Sequence, residues 1–163
     1  MLFAQAAAEA TAISNDNARA APVAISGATG PHAAYINGVY EPTQEKGLDG
    51  RVLYRKRGDP GIIMEHRGGN WEVKLVEDKG MAAGYAYVAG GCALAACTSR
   101  QWKLLDGKTL CDAPGVKMVT GAEAERKVSG CCLRAHQHVL LPPSALPIAF
   151  CDACCAGRGV CRR

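Results

Sequence analysis

No cysteine occurs in the first 91 residues of this 163-residue chain; all nine stand at Cys92 or beyond, and six crowd into the final 33. A disulfide scaffold spreads its cysteines through the core it staples, so this distribution argues against one. Nine is also odd, and complete pairing within one chain is impossible. The expectation is a reducing, cytoplasmic setting. Large aromatics are equally sparse, with two Phe and two Trp. The apolar share of 48% rests heavily on Ala and Gly. A folded unit of about 100 residues is therefore expected, with a single core.

A strong charge imbalance is missing too. The net charge of +4 divides into +1 over residues 1–127 and +3 over residues 128–163. A nucleic-acid surface needs clustered cations, and the body offers only Arg55-Lys56-Arg57. At strand spacing those three alternate between faces, which reads as a solvated edge. No nucleic-acid partner is expected. The opening MLFAQAAAEATAIS has no basic stretch, and Glu9 interrupts its apolar run, unlike a secretory signal. The uncharged run from Gly80 to Ser99 is long enough to span a bilayer, but it is mostly Ala and Gly with its Tyr near the middle. No membrane partner is expected.

What is present is regular punctuation. Residues 1–21 read as a short Ala-rich helix and linker, broken at Ser14-Asn15-Asp16-Asn17, with Pro22 at the entry to the body. From 22 to 122, apolar runs alternate with turn residues. Strands are expected at Tyr35–Tyr40, Val52–Lys56, Ile62–His66, Trp71–Leu75, Tyr85–Val88, Gln101–Leu105 and Val116–Val119. In Trp71–Leu75 the alternation is strict: Trp71, Val73 and Leu75 share one face, Glu72 and Lys74 the other. That is the pattern of a strand with one buried face. The Arg67-Gly68-Gly69-Asn70 loop before it should close a hairpin. Short strands about ten residues apart, without an amphipathic helix between them, imply an all-β fold: a small antiparallel meander closing as a barrel or sandwich. Trp71 and Trp102 are its natural core anchors.

The order of words Ile36-Asn37-Gly38-Val39-Tyr40-Glu41-Pro42-Thr43, Val52-Leu53-Tyr54-Arg55-Lys56-Arg57-Gly58-Asp59, Trp71-Glu72-Val73-Lys74, Lys79-Gly80, Tyr85-Ala86-Tyr87 and Trp102 before Asp106-Gly107 resembles small β-rich modules repeated in large multidomain proteins of algae and other protists. The likeness covers residues 24 to about 120. It departs at Ile62–His66, where those modules carry Trp or Tyr. The resemblance implies a building-block role and carries over no catalytic residue.

Residues 123–163 form a Cys-rich tail, expected to be disordered or foreign to the native protein. Lys127-Val128-Ser129 can be encoded as AAG-GTG-AGT, which contains a splice-donor string just where the strand pattern stops. Translated intron is one expectation for residues 128–163. Zinc binding is the other: Cys131, Cys132, His136, His138, Cys151 and Cys154 supply thiolate and imidazole ligands, and Cys151-x-x-Cys154 has knuckle spacing.

Two constellations remain in the body. Ser26-Gly27-Ala28-Thr29-Gly30 echoes a nucleotide phosphate loop, though its third glycine is missing and Pro31 crowds the helix that should come next. Tyr35, Tyr40, Tyr54, Tyr85 and Tyr87 could form a half-exposed recognition face for peptides or carbohydrates. No nucleophile–base pair stands out. The expected function is a non-catalytic interaction or structural module with a protein or peptide partner and no cofactor. The alternatives are a zinc-binding protein and a nucleotide-binding enzyme.

Overall fold

The computed structural model describes residues 2–91 and 93–126. Helix α1 spans Leu2–Ala18. Strands β1 to β9 lie at Val23–Ser26, Gly38–Lys46, Val52–Lys56, Asp59–Arg67, Asn70–Leu75, Ala86–Ala89, Trp102–Asp106, Thr109–Ala113 and Lys117–Thr120, and a four-residue helix α2 (Ala33–Ile36) precedes β2. All nine strands belong to one sheet, in the order β8-β7-β6-β5-β4-β3-β2-β1-β9. Every neighbouring pair is antiparallel. The meander runs unbroken from β1 to β8, and β9 then returns to flank β1.

The sheet curls into a half-barrel. The all-β meander is as expected, but the strand order is that of an open sheet with β8 and β9 as edges, rather than a closed ladder or two packed sheets. The concave face holds the core. Val23, Ile25, Tyr40, Tyr54, Met64, Val73, Val88, Trp102 and Met118 all point into it, one or two from each contributing strand. Ile36 of α2 and Leu94 and Cys97 of a 3-10 turn fill the ends. Trp71 and Trp102 are 2% and 1% exposed, as befits anchors.

The β4–β5 hairpin turns on Gly68 and Gly69, whose φ angles of 56° and 82° are the left-handed values a two-residue hairpin requires. Six residue pairs are then in register, from Arg67↔Asn70 to Ile62↔Leu75.

Three local expectations change. Tyr35 and Ile36 are helical rather than extended, because Gly30-Pro31 starts a turn and the amides of Ile36 and Asn37 reach back to His32 and Ala33. Helix α1 does not break at Ser14-Asn15-Asp16-Asn17 but runs through them to Ala18. There it is bolted to the body: the Asn17 amide donates to Gly50 O at 2.9 Å and accepts from Val52 N at 2.8 Å, mimicking a strand edge. Third, the second face of β5 is not solvated. Glu72 and Lys74 are 4% and 0% exposed, and Glu65 of β4 is 1% exposed. The segment 76–85 folds over them. Lys74 Nζ donates to Met81 O at 2.8 Å, and Gly80 N donates to Glu65 Oε2 at 2.8 Å. Alternation in the sequence showed two faces but not this covering flap.

Candidate functional site

Strand direction gives the half-barrel two ends, and each carries a distinct feature. At the α2 end three rings stack. His32 and Tyr85 centroids lie 4.5 Å apart, and Tyr35 and Tyr85 lie 5.1 Å apart, with ring planes 22° from parallel. Tyr35 is 41% exposed. The backbone beneath is held from several sides. Tyr40 donates its hydroxyl to Tyr35 O at 2.8 Å and to Ile36 O at 2.9 Å. Lys56 Nζ reaches Ala34 O and Tyr35 O. Asn37 exchanges a pair of hydrogen bonds with Ala28, fixing the loop that leads into α2. Burial, then the neighbouring Tyr35, Asp78 and Glu77, raises the Tyr85 phenol above its ordinary range.

The five tyrosines singled out in the sequence therefore do not share one face. Tyr35 and Tyr85 come together at the surface, with His32 as an unforeseen third member. Tyr40 is fully buried as a strut under α2, and its phenol is strongly raised by burial. Tyr54 is 5% exposed and meets Trp71 edge to face at 5.8 Å. Tyr87 is half-buried on the outer face, with its phenol raised by burial and by Glu72. Tyr40 and Tyr54 leave the recognition surface for a simple reason: strand period assigns them to a face, and the curl of the sheet makes that face concave.

At the opposite end, the C-terminus of α1, the start of β3, the 3-10 turn at Leu94–Cys97 and the end of β9 surround a cavity of about 370 Å³. Its walls are mostly apolar, with Val23, Val52, Trp71 and Leu94 among them; its polar members are Asp16, Asn17, Arg19, Arg51, Tyr54 and Thr120, which the sequence did not single out together. Arg51 is 7% exposed. It donates to Asp16 Oδ2 at 2.9 Å and to Gly91 O at 2.8 Å, and its Nε lies 3.4 Å from Asp49 Oδ2. Asp49 is shared with His66 Nδ1, and His66 Nε2 faces Gly90 O at 2.9 Å. No local signal marks this network, because Asp16, Arg51 and Gly91 are brought together only by the fold.

An Asp–His pair invites a catalytic reading, and the geometry opposes it. A general base needs one ring nitrogen free for a nucleophile. Here both nitrogens face oxygen partners, so His66 ties β4 to two loops. The Ser26–Gly30 loop likewise lacks phosphate-loop geometry, which needs a strand, loop and helix in a parallel unit. Its strand pairs antiparallel on both sides, and the helix after it has four residues. Among the described residues no group of three or more His, Cys, Asp or Glu could hold a metal. The candidate zinc ligands Cys131, Cys132, His136, His138, Cys151 and Cys154 lie outside those residues. No helix among the described residues is long and apolar enough to cross a membrane. Comparison with protein-family models, curated proteins and solved structures finds no match.

Proposed function

We propose that the chain is a non-catalytic binding module that docks a peptide segment of a protein partner on the His32–Tyr35–Tyr85 surface. The observation that carries this is the stack itself: two tyrosines and a histidine, partly exposed, on a backbone held by Tyr40, Lys56 and Asn37. Tyr offers a large amphipathic contact and loses few rotamers on binding, which is why it dominates interface hot spots. A platform already rigid avoids part of the ordering penalty of association. Glu77 and Asp78 lie close enough to act on the Tyr85 phenol. Their negative charge beside an aromatic face favours an arginine-bearing segment, whose guanidinium stacks on the ring. The likeness to repeated building-block modules is consistent with this role.

The test is selection from a random peptide library displayed against the full chain. Selected peptides should be enriched in arginine, and Tyr35→Ala or Tyr85→Ala should weaken them at least about tenfold, the scale of a hot-spot residue. Peptides that bind both variants as tightly as the parent chain would refute the reading.

A further inference from the structure

The cavity at the α1 end is remote from the aromatic surface, and its wall chemistry is selective. Tyr54 is 5% exposed and lines it. The Tyr54 hydroxyl has no hydrogen-bond partner among the described residues. It is not sealed off as a buried bare atom; it opens onto the cavity, where a ligand oxygen can take the place of water. Asp16, on the same wall, accepts from Arg51 through Oδ2, leaving Oδ1 as an acceptor. The Asp16 charge is felt at the phenol, which burial and then that charge push up to about 12. The tyrosine therefore stands as a neutral donor at ordinary pH. Asp16 and Asp49 flank the Arg51 guanidinium, and Arg19, the other cation on the wall, is exposed to solvent.

We propose that this cavity is a binding site for a small neutral ligand with an apolar, ring-sized body and one hydroxyl, the hydroxyl accepting from Tyr54 and donating to Asp16. A carboxylate head has no proton to give Asp16, and an ammonium head has no lone pair to accept from Tyr54; a hydroxyl does both. The volume of about 370 Å³ lies in the lower part of the range typical of ligand pockets. The apolar walls supply affinity, and the Tyr54–Asp16 pair sets orientation. This inference does not depend on the aromatic surface.

The probe is 2-naphthol, with naphthalene as the analogue lacking the hydroxyl, titrated into the full chain and followed by calorimetry and amide spectra. The expected result is saturable binding of 2-naphthol, with shifts at Val52, Tyr54, Trp71 and Leu94. Tyr54→Phe keeps the ring and should weaken 2-naphthol by about three- to tenfold while leaving naphthalene unchanged. Ala96→Phe, at an exposed position on the cavity wall, should block both probes without unfolding the chain. Equal 2-naphthol affinity in Tyr54→Phe overturns the proposal. So do shifts confined to residues outside the wall, or no saturation at the solubility limit of the probe.

Discussion

Lys74 Nζ lies 2.6 Å from Glu72 Oε2, and neither side chain reaches solvent, at 0% and 5% exposure. Glu65 Oε2 stands 3.3 Å from the same nitrogen. One buried ammonium therefore faces two buried carboxylates beneath the flap 76–85. Buried pairs gain little over an apolar replacement, but removing one partner leaves uncompensated charge. Lys74→Met fills similar volume and strands both carboxylates. It should lower the unfolding free energy by about 3–5 kcal/mol in a urea titration. Adding Glu72→Gln should recover part of that loss. A Lys74→Met chain as stable as the parent would mean the triad is hydrated.

Alkaline pH probes a different pair of side chains. Tyr40 and Tyr54 both have phenols raised by burial, Tyr54 to about 12 from 10.0. A group whose folded value lies above its unfolded value contributes stability that is complete below the unfolded value. That stability is lost as pH rises through the folded value. Unfolding free energy should fall between pH 10 and about 12, with Tyr54 accounting for about 3 kcal/mol at most. Tyr54→Phe should flatten the slope, read from urea midpoints across that window. An unchanged slope contradicts the burial of its hydroxyl.

Two glycines of one loop should behave differently. Gly27 and Gly30 have φ of 85° and 87°, but a Cβ on Gly27 would stand 2.1 Å from Gly115 O, whereas Gly30 opens onto free space. Gly30→Ala carries only backbone strain, about 1 kcal/mol. Gly27→Ala must also push the turn before β9 away from β1, so its loss should be clearly larger. Thermal unfolding of the two variants side by side gives the answer, and equal losses contradict the close approach.

His66→Phe should expose the structural role of that histidine. Its ring bonds Asp49 and Gly90 O; its loss leaves Gly90 O bare, at about 1–3 kcal/mol in urea unfolding, while Asp49 keeps Arg51 and its access to water. A loss near zero would reopen a functional role.

Much of the sheet was legible in the sequence. β3, β4, β5, β6 and β7 coincide with runs of period two or continuous apolar runs, and the Gly68-Gly69 turn announces its hairpin. Missed were β1, whose short Val-Ala-Ile-Ser carries no alternation, and β8, whose residues are nearly all exposed and so lack an apolar signature. Tyr35 and Ile36 look like strand residues and are helical because of the Gly-Pro turn before them. The site was legible only in part. Residue type pointed to Tyr35 and Tyr85, but nothing local separates them from Tyr40 and Tyr54, because exposure depends on which way the sheet curls. The Asp16–Arg51 contact joins residues 35 apart in sequence, and the flap over Glu72 and Lys74 is a tertiary fact that alternation alone reads as solvent.

The measurement that bears most directly on the binding-module account is an amide and aromatic-side-chain titration of the full chain with an arginine-bearing peptide selected against it. The account predicts shifts centred on His32, Tyr35 and Tyr85, with intermolecular contacts from both tyrosine rings to the peptide. Saturating shifts centred elsewhere, with those rings unperturbed, would contradict it.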